Sequence, residues 1–238
     1  MRVHAVSQAA DLDSIDLSAW TVVIIDAIRA SSTIAWAMAN GCARIIPVAT
    51  VDEAWKRKAA DTGADVLLCG ERGGGRIDGF DLGNSPREFT PAAVKGRTLV
   101  FTTTNGTRAM VASQRAREIT IGAWLNMTAL VDHLMKAQGD VLIVPVGRED
   151  VPVLDDVVCA GMYVDRLVAA GAGGLNGHAH LARMTYEGYR GRLLDAAKDS
   201  PSGQNLVRIG LQEDLPYCVQ VGILDVVPRV VNGVIAGR

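Results

Sequence analysis

Six short runs rich in valine, isoleucine and leucine recur along the chain with helix-length segments between them: TVVIID (21–26), ARIIPV (43–48), DVLLCG (65–70), RTLVFTTT (97–104), REITIG (117–122) and DVLIVPVG (140–147). Runs this short and this uniformly apolar suit strands buried on both faces, and strands separated by helices run mainly parallel. The pattern predicts an α/β fold, a mainly parallel sheet with helices on both faces. Helix starts are marked as well. Thr50 stands three residues before Glu53 as a capping box, Ser85 precedes Pro86 at a first helical position, and Asn126 is placed to cap MTALVDHLMKA. GAGGLNG (171–177) is a candidate flexible joint, and the tail beyond it reads as helices followed by DLPYCVQVGILDVVPRVV. The expectation is a single unit over residues 1–238, with two lobes joined near 171–177 as the alternative.

Composition narrows the partners. A net charge of -2 with 21% charged residues gives no broad basic surface, so neither nucleic acid nor an anionic membrane is expected. No stretch approaches the ~18 consecutive apolar residues of a membrane span, and MRVHAVSQAADLDSID has no signal-peptide core. Cys42, Cys69, Cys159 and Cys218 lie far apart without a C-x-x-C pair, which fits a reduced, cytoplasmic setting. Assembly into a homo-oligomer is compatible with all of this.

Ligands of open α/β sheets bind beyond the carboxyl ends of the strands, where helix N-termini present free N–H groups. Four such ends carry similar chemistry. IIDAIRASST places Asp26, Arg29, Ser31 and Ser32 after the first run; GERGGGRIDGFDLGNSP places Glu71 and Arg72 before a glycine-rich loop that leads to Asn84 and Ser85. TTTNGTRA supplies Thr103, Thr104, Asn105 and Arg108, and VGREDVPVLDDVVCAG puts Asp155 and Asp156 in the first turn of a helix. Singly, each has a plain structural use as a cap, a surface ion pair or a complement to a helix dipole. Brought to one rim, carboxylates beside arginine and hydroxyl clusters suggest a hard divalent cation next to a phosphate.

Other phosphatase chemistries are missing from the text. No cysteine is followed by Cys-x5-Arg spacing, no Arg-His-Gly occurs, and Ile28 stands where a second aspartate would follow Asp26. His4, His133, His178 and His180 avoid the four loops. Oxygen ligands without a histidine or cysteine cluster favour Mg²⁺, replaceable by Mn²⁺, over Zn²⁺.

Together, IIDAIRASSTIAWAMANG, GERGGGRIDGFDLGNSPREF, TTTNGTRA and LDDVVCAG resemble the 2-phosphosulfolactate phosphatase family from about residue 20 to about residue 165, with a fainter echo in GLQEDLPYCVQVGILDVVP. The resemblance implies a three-layer α/β fold and Mg²⁺-dependent hydrolysis of (R)-2-phospho-3-sulfolactate to sulfolactate and phosphate. Two places depart from the family pattern: Leu154-Asp155-Asp156 replaces a Ser-x-Glu-Asp segment, and Ser31-Ser32-Thr33 stands where threonines are usual. On the matching positions, Asp26, Arg29, Glu71, Arg72, Asn105 and Arg108 are the candidate catalytic residues. Ser31, Ser32, Asn84, Ser85, Thr103 and Thr104 are the candidate substrate contacts, and Asp26, Glu71, Asp155 and Asp156 the candidate metal ligands. The expected substrate is a small phosphorylated acid; the alternative is a non-catalytic sensor that binds such a metabolite.

Overall fold

Each of the six apolar runs forms a strand in the computed structural model, which describes residues 1–60, 65–104, 109–110, 112–149 and 151–237. They are β2 (Trp20–Ile25), β3 (Arg44–Pro47), β4 (Val66–Arg72), β6 (Thr98–Thr102), β7 (Glu118–Ile121) and β8 (Asp140–Pro145). Four shorter strands join them: β1 (Val3–Ala5), β5 (Gly75–Arg76), β9 (Arg229–Val231) and β10 (Val234–Ala236). The sheet has ten strands among the described residues, in the order β1-β8-β2-β7-β9-β10-β3-β6-β4-β5.

Three layers follow from the alternation of side chains along the buried strands. Val23 and Ile25 of β2 share a core cluster with Val141 and Ile143 of β8 and with Val158, Tyr163 and Leu167 of the helix Leu154–Ala169. Val22 and Ile24 turn to the other face, in a cluster with Ile34 and Met38 of α1 (Ala30–Ala39). The helices of the tail, Gly177–Tyr189, Leu193–Asp199 and Pro201–Arg208, lie on the first face, where Ala179, Ala182, Tyr186, Ala196 and Leu206 join the same core.

Reading the tail as helices followed by an apolar stretch leaves out the hairpin β9–β10. Three-residue strands are too short to show a period, and their one local mark is Asn232-Gly233 at the turn, with φ +51 and +76. This hairpin sits in the middle of the sheet, antiparallel to β7 through Thr120 and Arg229 and antiparallel to β3 through Ile45 and Ile235. It splices two parallel blocks, β1-β8-β2-β7 and β3-β6-β4. Three antiparallel steps between them make the second block run against the first. A flat sheet would place the carboxyl ends of the two blocks on opposite edges. Neighbouring strands are rotated by roughly 20–25° on average, more in two-stranded ribbons, so the sheet wraps as it crosses the hairpin. Ile34 and Met38 of α1 accordingly share one core cluster with Leu142 and Val144 from the first block and Leu67, Leu99 and Phe101 from the second.

The helix starts differ in detail from expectation. At α2 (Val51–Ala60) the capping box forms as read, with Glu53 N–H donating to Thr50 Oγ1 (3.1 Å) and Glu53 Oε2 accepting from Thr50 N–H (3.4 Å). Asn126 precedes the helix Met127–Ala137 but does not cap it with its side chain. Its amide instead bonds backward, accepting from Ala123 N–H (2.9 Å) and donating to the Ile121 carbonyl (3.1 Å), and reaches the tail by donating to the Val226 carbonyl (3.3 Å). In the 171–177 segment Gly173 accepts from Val3 N–H (3.1 Å), and Asn176 both caps the following helix at Ala179 and bonds Ala5. No helix among the described residues is long and apolar enough to cross a membrane.

Candidate functional site

The wrapped sheet brings together loops that follow β2 and β8 in one block and β4 and β6 in the other. Asp26, Arg29, Glu71, Asn84, Thr104, Gly147, Arg148 and Asp156 line one cavity of about 240 Å³. Its opposite wall is Ser202, Asn205 and Leu206, from the helix Pro201–Arg208. The expected meeting of strand-end loops is therefore present, but it is made by two oppositely directed blocks and closed by a tail helix rather than by one straight sheet edge.

Two of the carboxylates act as staples between loops. Glu71 Oε1 accepts from Thr104 N–H (2.8 Å) and Thr104 hydroxyl (2.9 Å), while Oε2 accepts from Gly74 N–H (2.7 Å), so one side chain holds the end of β6 to the β4–β5 turn. Asp156 Oδ1 accepts from Ala27 N–H (2.8 Å) and Oδ2 from Gly147 N–H (3.0 Å), tying the ends of β2 and β8. The backbone beneath these staples depends on glycine. Gly70 has φ +150, and a Cβ there would lie 2.1 Å from the Thr102 carbonyl oxygen. Gly147 has φ +72 and would meet the Val151 oxygen at 2.6 Å, inside the two-bond bridge between Arg148 and Val151.

Asp26 and Asp155 are less committed. Asp26 keeps an edge open to the cavity, and Ala30 N–H donates to its Oδ1 at a long 3.3 Å. Its main chain fixes the start of α1, with Ser31 N–H donating to the Asp26 carbonyl (2.8 Å) and Asp26 N–H to Ser31 Oγ (2.9 Å). Asp155 is buried with neither carboxylate oxygen in a hydrogen bond of good geometry; Ser200, Ser202 and Ile28 N–H are nevertheless near enough to favour its charged form against burial. Desolvation and the neighbouring Asp155 and Glu71 charges push the Asp26 carboxyl up to about 7. Burial pushes Asp155 up to about 6, and burial with the Asp155 and Asp26 charges moves Asp156 up as well. Such a cluster takes up protons or a cation in preference to holding every charge bare. No three His, Cys, Asp or Glu side chains among the described residues converge as a ready metal cage. Mg²⁺ does not require one, being held by one or two carboxylates plus substrate phosphate and water, and the bondless oxygens of Asp155 beside Asp26 fit that donor set.

The remaining candidates fall into distinct places. Arg29 lines the cavity although its side chain is only 3% exposed. Arg72 turns away, donating to the Glu71 (2.7 Å) and Ala49 (3.4 Å) carbonyls and to Thr102 Oγ1 (3.0 Å). Ser32 is buried with its hydroxyl on the Ala27 carbonyl (2.8 Å), and Ser31 serves Asp26. Asn84 presents a buried Oδ1 without a partner, its carbonyl held by Thr33 Oγ1 (2.9 Å). The Ser85 hydroxyl makes no cap; it donates to Asp214 (2.7 Å). Thr103 is buried beside Thr104. Asn105 and Arg108 lie outside the described residues. Sequence reasoning missed Arg148, Ser202, Asn205 and Asp214. Arg148 was open to the strand-end logic, since it follows Gly147 after β8; Ser202 and Asn205 lie in a helix where nothing local marks them, and Asp214 falls within GLQEDLPYC, where nothing singles it out from its neighbours.

A family profile described as 2-phosphosulpholactate phosphatase matches residues 7–233. A Clostridium acetobutylicum protein named "Probable 2-phosphosulfolactate phosphatase" is 37% identical over 237 residues, 98% of this chain and 99% of the relative. Proteins of the same name from Symbiobacterium thermophilum, 39% identical over 224 residues, and Thermotoga maritima, 37% identical over 214 residues, are covered to 94% and 90% of their lengths.

Proposed function

We infer, from a chain that belongs to the 2-phosphosulfolactate phosphatase family, that it hydrolyses the phosphomonoester of a small, strongly anionic 2-hydroxy acid, with (R)-2-phospho-3-sulfolactate as the substrate and sulfolactate and phosphate as products. The observation that carries this reading is a polar cavity where an arginine and an orphaned amide oxygen face carboxylates held above their usual pKa range. Phosphoryl transfer needs positioning and charge stabilisation more than covalent help. Arg29 supplies a cation on the phosphate side. Asp26 presents its carboxylate at the open edge of the cavity, where a group that positions the cation and the attacking water has to stand. Glu71 and Asp156 keep the loops in register, and the tail helix limits water access. Asp26 and Asp155 would hold Mg²⁺, which when bound supplies charge neutralisation at the phosphoryl oxygens.

Arg148 faces the second acidic group of the substrate. It lies at the cavity rim with its side chain 43% exposed, and its ion pair with Glu149 is loose at 3.9 Å. Phosphate release from 2-phospho-3-sulfolactate and from glycerol phosphate, each with Mg²⁺ and with excess EDTA, tests the proposal. The expected result is chelator-sensitive turnover that favours the sulfonated diacid. Arg148→Ala should lower kcat/KM for that substrate about tenfold or more, the loss of one charged hydrogen bond, and leave glycerol phosphate nearly unaffected. Binding without phosphate release would favour a sensor, and full turnover in EDTA would overturn the metal assignment.

A further inference from the structure

The tail motif GLQEDLPYCVQVGILDVVP has no part in the chemistry above, yet it delivers one fully buried carboxylate to the site. Asp214 ends the short turn Gln212–Asp214, 185 residues from Arg29 in sequence. Its Oδ2 accepts from an Arg29 terminal amino group at 2.7 Å and its Oδ1 from the Ser85 hydroxyl at 2.7 Å. The other terminal amino group of Arg29 donates to the Gly74 carbonyl. Arg29 and Asp214 side chains are 3% and 1% exposed.

We propose that Asp214 is the positioning residue of Arg29, aiming its guanidinium at the substrate phosphate; the inference rests on the phosphatase reading. A buried ion pair is weak as a source of stability, because desolvating two charges offsets most of their attraction and a well-packed apolar pair serves as well. What the pair supplies that an apolar contact does not is direction. A guanidinium is a planar fork with five donors; Asp214 and Gly74 engage two of them from separate segments and so fix the plane. The edge left over belongs to the cavity that Arg29 lines. Ser85 completes the device by holding the second carboxylate oxygen, so that Asp214 cannot rotate away from Arg29.

The test is titration calorimetry of inorganic phosphate into the intact protein in Mg²⁺ buffer, with a thermal melt of every sample. Asp214→Asn should weaken phosphate about tenfold or more, Asp214→Glu should restore part of that loss, and Ser85→Ala should weaken phosphate by a smaller factor with little change in melting temperature. Combining Asp214→Asn with Arg29→Lys should weaken it no more than Arg29→Lys alone, since both act through one guanidinium. A purely structural pair would lower melting temperature and leave the phosphate affinity of folded protein unchanged, which overturns the proposal. Should Asp214→Asn not fold, Ser85→Ala decides: wild-type affinity in that folded variant also overturns it. Wild-type protein that binds no phosphate would overturn the functional reading and this inference together, whereas wild-type affinity in Asp214→Asn overturns this inference alone.

Discussion

Asp26 owes its character to its neighbours more than to its own chemistry. Enclosure by protein and the nearby Asp155 and Glu71 charges raise its pKa to about 7, while the backbone bonds at Ser31 that start α1 do not depend on its carboxyl. Asp26→Asn keeps the shape and removes the charge, so kcat is expected to fall by about 10²-fold or more, on the order of 3 kcal/mol. The fold should be preserved, because one like charge leaves a crowded carboxylate cluster; kcat and a melt on the same sample check both. A second expectation follows from linkage. Asp26 and Asp155 have folded-state pKa values above those of the unfolded chain, so the native state binds more protons between about pH 4 and 7. Metal-free protein should therefore be most stable near the acid end of that window and lose stability as pH rises through 6 and 7. Mg²⁺ should reverse the loss, raising the melting temperature more at pH 8 than at pH 5.

At the scale of elements, the site is a set of strand-end loops stapled in pairs by buried carboxylates. Glu71 joins β6 to the β4–β5 hairpin through three hydrogen bonds of 2.7–2.9 Å, every one of them donated to it. Glu71→Gln is nearly isosteric but turns an amide N–H toward either Gly74 or Thr104, leaving a donor facing a donor. Its cost should be about 1–3 kcal/mol of stability with a raised KM, measurable by denaturant unfolding alongside steady-state kinetics. Gly70→Ala meets a stiffer obstacle, since the added Cβ would fall 2.1 Å from the Thr102 oxygen at a φ of +150. Backbone must move there, and a loss of at least about 1–3 kcal/mol is expected. The strands and the α2 capping box were legible in the chain because apolar runs and Thr50-x-x-Glu53 are local signals. The side-chain work of Ser85 was not, because its partner Asp214 is far away in sequence, and Asn126 divides its amide between Ala123 and Ile121 just before it and the distant Val226.

For the whole molecule the decisive element is a short one. The β9–β10 hairpin joins two parallel blocks that run in opposite senses, and Ile235 is fully buried between them. Ile235→Ala should cost about 2–5 kcal/mol by cavity formation, seen as a shifted denaturant midpoint. Truncation before Arg229 should abolish phosphate release together with cooperative unfolding, because the cavity draws walls from both blocks. Retained activity in the truncated chain would refute this account of how the halves are held.

What the sequence by itself determined is what short-range physics can write: uniformly apolar strands that must be covered on both faces, helix starts, and polar residues placed where strands end. Those signals were enough for the α/β class and for Asp26, Arg29, Glu71, Asn84, Thr104 and Asp156 among the residues that line the cavity. The tertiary structure decided which of those side chains are tied into the frame and which are left with uncommitted oxygens. Glu71 and Asp156 read in the chain as equals of Asp26 and Asp155, but their oxygens are occupied by backbone N–H groups of other loops. Arg72 reads as the equal of Arg29, but its guanidinium turns to the Ala49 carbonyl and to Thr102 of β6 while Arg29 is held at the cavity by Asp214. The reason is physical. A side chain's role is set by which donors and charges lie within a few ångströms of it, and here those neighbours come from segments up to 185 residues distant, brought together only when the sheet wraps across the β9–β10 hairpin, whose place in the middle of the sheet no local pattern announces.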